Sequence, residues 1–250
     1  MTRTLDLYLN LFLPAGQGVA ARTACGASHD RMLGGRTRLL GSRSSPARAV
    51  PGWQADAMDA RTTLPTLGSL TWEPALDHLD LVAPVTADAL RRWAEADPDV
   101  AALVAVTEID PDLADTATLN AAFDLPVEAS ANCVVVGGAR AGDERIAAAV
   151  VRAHTRADVN TRIRKLLDVR KASFLPTDRA TAESGMEYGG ITPVGLPDGW
   201  RVLVDSRVVT DGELALIGSG VRRSKLLLPG DLLGRLRGVE VVEDLAVPVA

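Results

Sequence analysis

Four extended segments crowd toward the end of this chain: Val202–Val209, Leu214–Ile217, Lys225–Leu228 and Val239–Val242. The first three are joined by connections of hairpin length, too short to carry a helical crossover of roughly a dozen residues. That arrangement argues against a doubly wound parallel sheet. It predicts an α+β (mixed α/β) fold, with a mixed, partly barrel-like β-sheet surrounded by helices.

The remaining segments fit this outline. Thr86–Ala96 predicts a helix, with Thr86 as its cap and Ala89, Leu90 and Trp93 on one face. Ala101–Val106 reads as a buried strand, and Asp115–Phe123 as a short helix that ends before Pro126. Asn132–Val136 is a valine-rich strand that Gly137-Gly138 is expected to end, and Ile146–Val151 pairs with it as a hairpin. Thr155–Asp168 predicts a helix, with Thr155 and Asp158 in capping-box spacing. Asp178–Ser184 predicts another, with Gly185 as a left-handed C-terminal cap, and Asp231–Leu236 a third. Only 4% of the residues are aromatic, so Ala, Val and Leu must fill the core.

Charge divides the chain unevenly. Residues 1–57 carry a net +4 and residues 58–250 a net −9. Leu5–Leu13 alternates like a strand, but Ala15–Pro51 has no sustained period. Residues 1–57 are therefore expected to be a basic extension, disordered or outside the fold, with residues 58–250 as the organised domain. A charge of −9 on the organised part argues against a wide, non-specific nucleic-acid surface, though not against a small one. No apolar run approaches the 18 residues of a membrane span. Two cysteines, Cys25 and Cys133, form neither a disulfide framework nor a zinc motif, which fits a reducing cytoplasm. His29, His78 and His154 are scattered, and neither a phosphate-binding P-loop nor H-E-x-x-H occurs, so the sequence supports no metal or nucleotide cofactor.

Four stretches could carry chemistry. Glu183–Pro197 packs four glycines and two prolines into 15 residues, a composition that can offer backbone groups to a ligand or simply build an elaborate turn. Ile217–Lys225 contains Gly218-Ser219-Gly220 followed by Arg222, Arg223 and Lys225, either an anion nest or a hairpin turn with a basic flank. Arg170-Lys171-Ala172-Ser173-Phe174 is a basic stretch beside a strand, or a surface charge cluster. Ala131-Asn132-Cys133 could face a pocket, or be a buried cysteine with a capping asparagine.

Taken in order, Lys171–Phe174, Ser184–Gly195, Val202–Asp205 and Gly218–Gly220 resemble the YbaK/ProX-type aminoacyl-tRNA deacylases. That family also occurs as the editing insertion of bacterial prolyl-tRNA synthetases. The resemblance covers residues 68–247, and Gly189 to Pro193 matches the family's GxxxP loop. It implies metal-independent hydrolysis of the ester joining a mischarged amino acid to the tRNA acceptor end. It also implies that Gly189, Thr192, Gly190, Pro193 and Gly185 belong to the loop that holds substrate. One departure stands out. Family members carry a lysine where this chain has Asn132, and an aspartate where it has Lys225. The expected arrangement is Lys225 replacing the missing lysine, with Asn132 as its hydrogen-bonding partner. Ser219 and Lys171 are expected to contact substrate, and Arg222 and Arg223 the phosphates.

Overall fold

The computed structural model describes residues 63–249, so the predicted extension over residues 1–57 and its strand-like Leu5–Leu13 lie outside the described residues. The strands, in chain order, are β1 (Glu73–Pro74), β2 (Ala105–Glu108), β3 (Ala131–Arg140), β4 (Asp143–Arg152), β5 (Thr155–Ala157) and β6 (Ala172–Phe174). After them come β7 (Arg201–Asp205), β8 (Leu214–Gly218), β9 (Ser224–Pro229), β10 (Val239–Val242) and β11 (Ala246–Pro248). The helices are α1 (Pro84–Ala96), α2 (Asp99–Leu103), α3 (Thr116–Phe123), α4 (Arg164–Leu166), α5 (Thr177–Ser184) and α6 (Gly230–Gly234).

Two larger sheets form the frame. One runs β10-β7-β4-β3-β6 and is mixed, because β7 lies parallel to both β4 and β10. The other runs β1-β2-β9-β8 and is antiparallel throughout. They meet at a parallel bridge between Ser130 and Leu216, where the Leu216 amide donates to the Ala129 carbonyl at 2.9 Å. The strands do not close into a barrel. The fold is mixed α+β, as the late strands predict.

Aliphatic burial holds the sheets together. One cluster packs Leu90 and Trp93 of α1 against Val204, Ile217, Leu226 and Leu228. Another covers the far face of the mixed sheet with Ile163, Leu167 and Leu245. Fully burying each such side chain contributes about 1.5–3 kcal/mol. No helix among the described residues is long and apolar enough to cross a membrane.

Several boundaries differ from the sequence reading. Thr86 does not cap α1. Pro84 opens that helix after Ala83, and Thr86 is buried inside the first turn. The expected strand over Ala101–Val106 is split between α2 and β2. Pro98 leads into α2, and the Asp97 carboxylate accepts from the Asp99 amide, so Val100 and Leu103 are buried from a helix instead. Gly137-Gly138 does not end β3, which continues to Arg140. A Cβ on Gly138 would stand 2.4 Å from the Lys171 carbonyl oxygen, so glycine there admits the neighbouring chain rather than a turn.

Thr155 does not cap a helix either. It opens β5, and its hydroxyl donates to the Arg152 carbonyl. Asp158 is the N-cap, accepting from the Thr161 amide above a π-helical turn, Val159–Ile163, that leads into α4. The strand expected over Val202–Val209 ends at Asp205. The Asp205 carboxylate is tied to the Arg207 amide and guanidinium and to the Ala246 amide.

Candidate functional site

The two glycine-rich stretches clasp one another. The Glu187 amide donates to the Gly220 carbonyl at 2.8 Å, and the Gly220 amide donates to the Gly190 carbonyl at 2.7 Å. A Cβ on Gly190 would meet the Val221 backbone at 2.6 Å, so only glycine permits this approach. Gly190→Ala is therefore expected to cost about 1–3 kcal/mol of stability through overpacking. Urea unfolding reads this as a lower midpoint at unchanged slope; an unchanged midpoint would show that the loops separate freely.

Beside this clasp lies a cavity of about 250 Å³. It is walled by the start of β3, the ends of β8 and β9 that face each other, the start of α3 and the loop at Tyr188–Gly189. Lys225, Asn132, Gly189 and Arg222 all line it.

Lys225 is only 7% exposed and projects from β9, where it pairs in register with Thr107 and Gly218. Its Nζ donates to the Ala114 carbonyl at 2.9 Å. Burial pushes its pKa down from the ordinary 10.5 to about 8, aided by the nearby Arg222 charge and opposed by Asp115. The amine is thus poised near neutrality.

Asn132, 8% exposed on β3, is not the hydrogen-bonding partner of Lys225 that the sequence led us to expect: the Lys225 amine turns to Ala114, and Asn132 accepts instead from the Thr116 hydroxyl at 2.9 Å. Its Nδ2 is buried with no partner among the described residues. Such an orphan donor costs about 1–3 kcal/mol and asks for an explanation, which a ligand in the cavity would supply. Arg222 leans over Gly189, with its guanidinium donating to the Pro111 carbonyl at 2.9 Å and its own amide to Glu187 Oε2.

Other expected site residues lie elsewhere. Thr192 is fully buried, its amide donating to Met186 Sδ, and it does not line the cavity. Ser219 is also fully buried, and its hydroxyl is spent on the Ser224 carbonyl and hydroxyl beneath the turn. Gly185 caps α5 in the left-handed conformation, as expected, against Val85. Gly190 and Pro193 shape the loop without reaching the cavity wall. Arg223 points outward to the Asp80 carbonyl and toward Glu108. Lys171 is exposed beside β6, away from the cavity.

The sequence reading did not single out Asp115, Thr116, Ser130 or Tyr188, which line the same cavity. The one available signal was Asp115, whose carboxylate caps α3 by accepting from the Ala117 amide. Cys133 lines the cavity too, but burial pushes its thiol up to about 12, which removes it as a nucleophile near neutral pH.

No curated protein matches the chain in sequence. Among solved structures, it is similar to the hypothetical protein APE2540, with a TM-score of 0.54 and 18% identity over 64% of this chain and 99% of that one. It is also similar to a candidate trans-editing enzyme for prolyl tRNA synthetase, with a TM-score of 0.52 and 16% identity over 65% of this chain and 97% of that one. At such identities the likeness is one of fold. The sequence itself matches the aminoacyl-tRNA editing domain over residues 110–236, just over half of the chain and a span that includes every residue of the cavity named above. The chain therefore belongs to the aminoacyl-tRNA editing domain family.

Proposed function

We propose that this protein is a trans-editing aminoacyl-tRNA deacylase of the YbaK/ProX type, working without a metal or other cofactor in the cytoplasm, with residues 58–250 as its folded domain. The observation that carries this reading is the meeting of Lys225, Asn132 and Gly189 in one cavity inside the editing-domain segment. At about 250 Å³ the cavity falls just below the usual range for drug-sized ligands, about 300–1,000 Å³. It suits an aminoacyl group at the acceptor end rather than a whole nucleotide.

An activated ester needs positioning and charge stabilisation more than a strong nucleophile. Lys225 Nζ, with donors left beyond the one given to Ala114, supplies a hydrogen bond to the ester carbonyl oxygen. Water adds to the carbonyl carbon and the charge gathers on that oxygen beside the ammonium. The C–O bond to the ribose then breaks, and the ribose oxygen leaves as a hydroxyl with a proton from the water. Asn132 Nδ2 holds the amino acid, and the Gly189 backbone with Arg222 faces the ribose and phosphate end.

Purified protein tested against a panel of mischarged tRNAs is expected to deacylate one or a few of them. A non-catalytic relative on the same fold is the second reading, and the Asn132 that replaces the family's lysine favours it. Tight binding without turnover would establish that alternative, and neither binding nor turnover would reject both. Asn132→Leu separates function from folding. Leucine of similar shape removes the orphan Nδ2 donor together with the Oδ1 acceptor, and half-exposed Thr116 can turn its hydroxyl to water, so stability should stay within about 1 kcal/mol while KM rises about tenfold, the worth of one hydrogen bond. Equal KM values would remove Asn132 from the substrate.

A further inference from the structure

At the other end of the β3–β4 hairpin, a second hollow of about 660 Å³ opens among Arg140, Arg164, Lys165 and Arg170, with Asp168 as the one acidic residue lining it. Asp168 is already occupied, held by Arg140 and by Arg145 at 3.1 Å. Arg164 keeps its Nε on the Asn160 carbonyl and makes no ion pair among the described residues. Lys165 and Arg170 are exposed and make no side-chain hydrogen bond or ion pair among the described residues. Lys171, next to Arg170 in sequence, is exposed but does not line the hollow. In an organised region with a net charge of −9, a local excess of cations needs a reason.

We propose that this groove binds the phosphate backbone of the RNA stem whose 3′ end occupies the cavity. The inference rests on the editing reading for the identity of the RNA. The geometry suits it. Cys133 at the cavity and Arg140 at the groove lie on one strand, roughly 24 Å apart at about 3.4 Å per residue. The segment from Arg170 through β6 to Thr177 joins the same two places. A duplex stem extends over such a distance, whereas a single aminoacyl nucleotide does not. A-form RNA offers its phosphates and 2′-hydroxyls to shape-reading contacts of this kind, and exposed Lys and Arg supply the sequence-independent part of the affinity. The groove thus adds affinity and orientation at a place distinct from the chemistry.

The test is the double variant Lys165→Gln/Arg170→Gln of the full chain, with binding of uncharged tRNA measured by fluorescence anisotropy across a salt series. Kd is expected to rise at least about tenfold, and the slope of log K against log[salt] to shrink by about two, one per lost phosphate contact. Hydrolysis of an aminoacylated adenosine lacking the stem should not change. Unchanged Kd and slope would overturn the proposal. So would wild-type protein that binds anionic lipid vesicles but no tRNA. Because the binding arm uses uncharged tRNA, a protein that binds through the groove yet fails to hydrolyse any ester would overturn the deacylase reading and leave the groove standing.

Discussion

Lys225→Ala is expected to lower kcat/KM for deacylation by about 10²–10³-fold, the cost of removing one preorganised donor from a developing oxyanion. The argument is positional. Lys225 is a nearly buried cation in the wall of the cavity, and its one protein bond is to a carbonyl, with no carboxylate partner among the described residues. Buried charges are ordinarily paired, and this one is not. The folded protein would gain by losing it, so Lys225→Met should be at least as stable as wild type near neutral pH. Linkage gives that expectation a sign and a window. The native state holds the Lys225 proton less tightly than the unfolded chain, with a pKa of about 8 against 10.5. Unfolding therefore takes up a proton between those values, and this group makes stability rise with pH across the window, by about 3 kcal/mol at most. The Cys133 thiol, pushed up by burial, acts in the opposite direction above about pH 9 in both proteins, so the difference between them isolates the amine. Urea unfolding on either side of the window should show wild type gaining stability relative to Lys225→Met as pH rises. The same pH dependence in both proteins would mean that the amine is not desolvated.

The largest expected effect on folding belongs to Arg152. Its side chain, 3% exposed, sits where the two sheets meet. Its guanidinium donates to the carbonyls of Glu128, Leu214 and Arg207 at 2.8, 2.7 and 3.0 Å, reaches those of Ala129 and Val208, and pairs with Glu213 at 3.0 Å. Arg152→Met fills similar space but takes its donors from the Glu128, Leu214 and Val208 carbonyls, while Ala129 keeps the Leu216 amide and Arg207 the Thr210 hydroxyl. At about 1–3 kcal/mol for each carbonyl left short, the expected loss is about 3–5 kcal/mol, a large fraction of the 5–15 kcal/mol typical of a domain. Arg152→Lys recovers little, because one ammonium cannot reproduce the planar fork. A loss below about 1 kcal/mol in urea unfolding would show that water satisfies the carbonyls instead.

Part of the candidate site was legible in the sequence because unusual residues line the cavity and the loops beside it. Four glycines and two prolines in one stretch announce a constrained loop, and Gly218-Ser219-Gly220 announces its counterpart. Lys225 stands out as one of three lysines in a chain with 24 arginines. Which polar residues face the cavity was not legible. Thr192 and Ser219 look like substrate contacts in a linear reading, yet both turn inward beneath the loops they belong to. Thr116 and Tyr188 join the cavity only because α3 and the loop before Gly190 approach β3, a tertiary fact with no local signature. The errors in secondary structure have a similar cause. Val100–Val104 is apolar enough for either a strand or a helix, and the preceding Asp97-Pro98 decides the matter. Arg152 reads as the polar end of an apolar strand, whereas it is the donor that joins two sheets.

The account stands on the protonated amine of Lys225 acting on the ester. The most direct measurement is kcat/KM for deacylation by wild-type protein on its best aminoacyl-tRNA, with the uncatalysed rate subtracted, across a pH series that spans 8. With water as the nucleophile, kcat/KM is predicted to hold steady below about pH 8 and to fall above it as Lys225 loses its proton. A kcat/KM that stays constant or climbs through that range would contradict it.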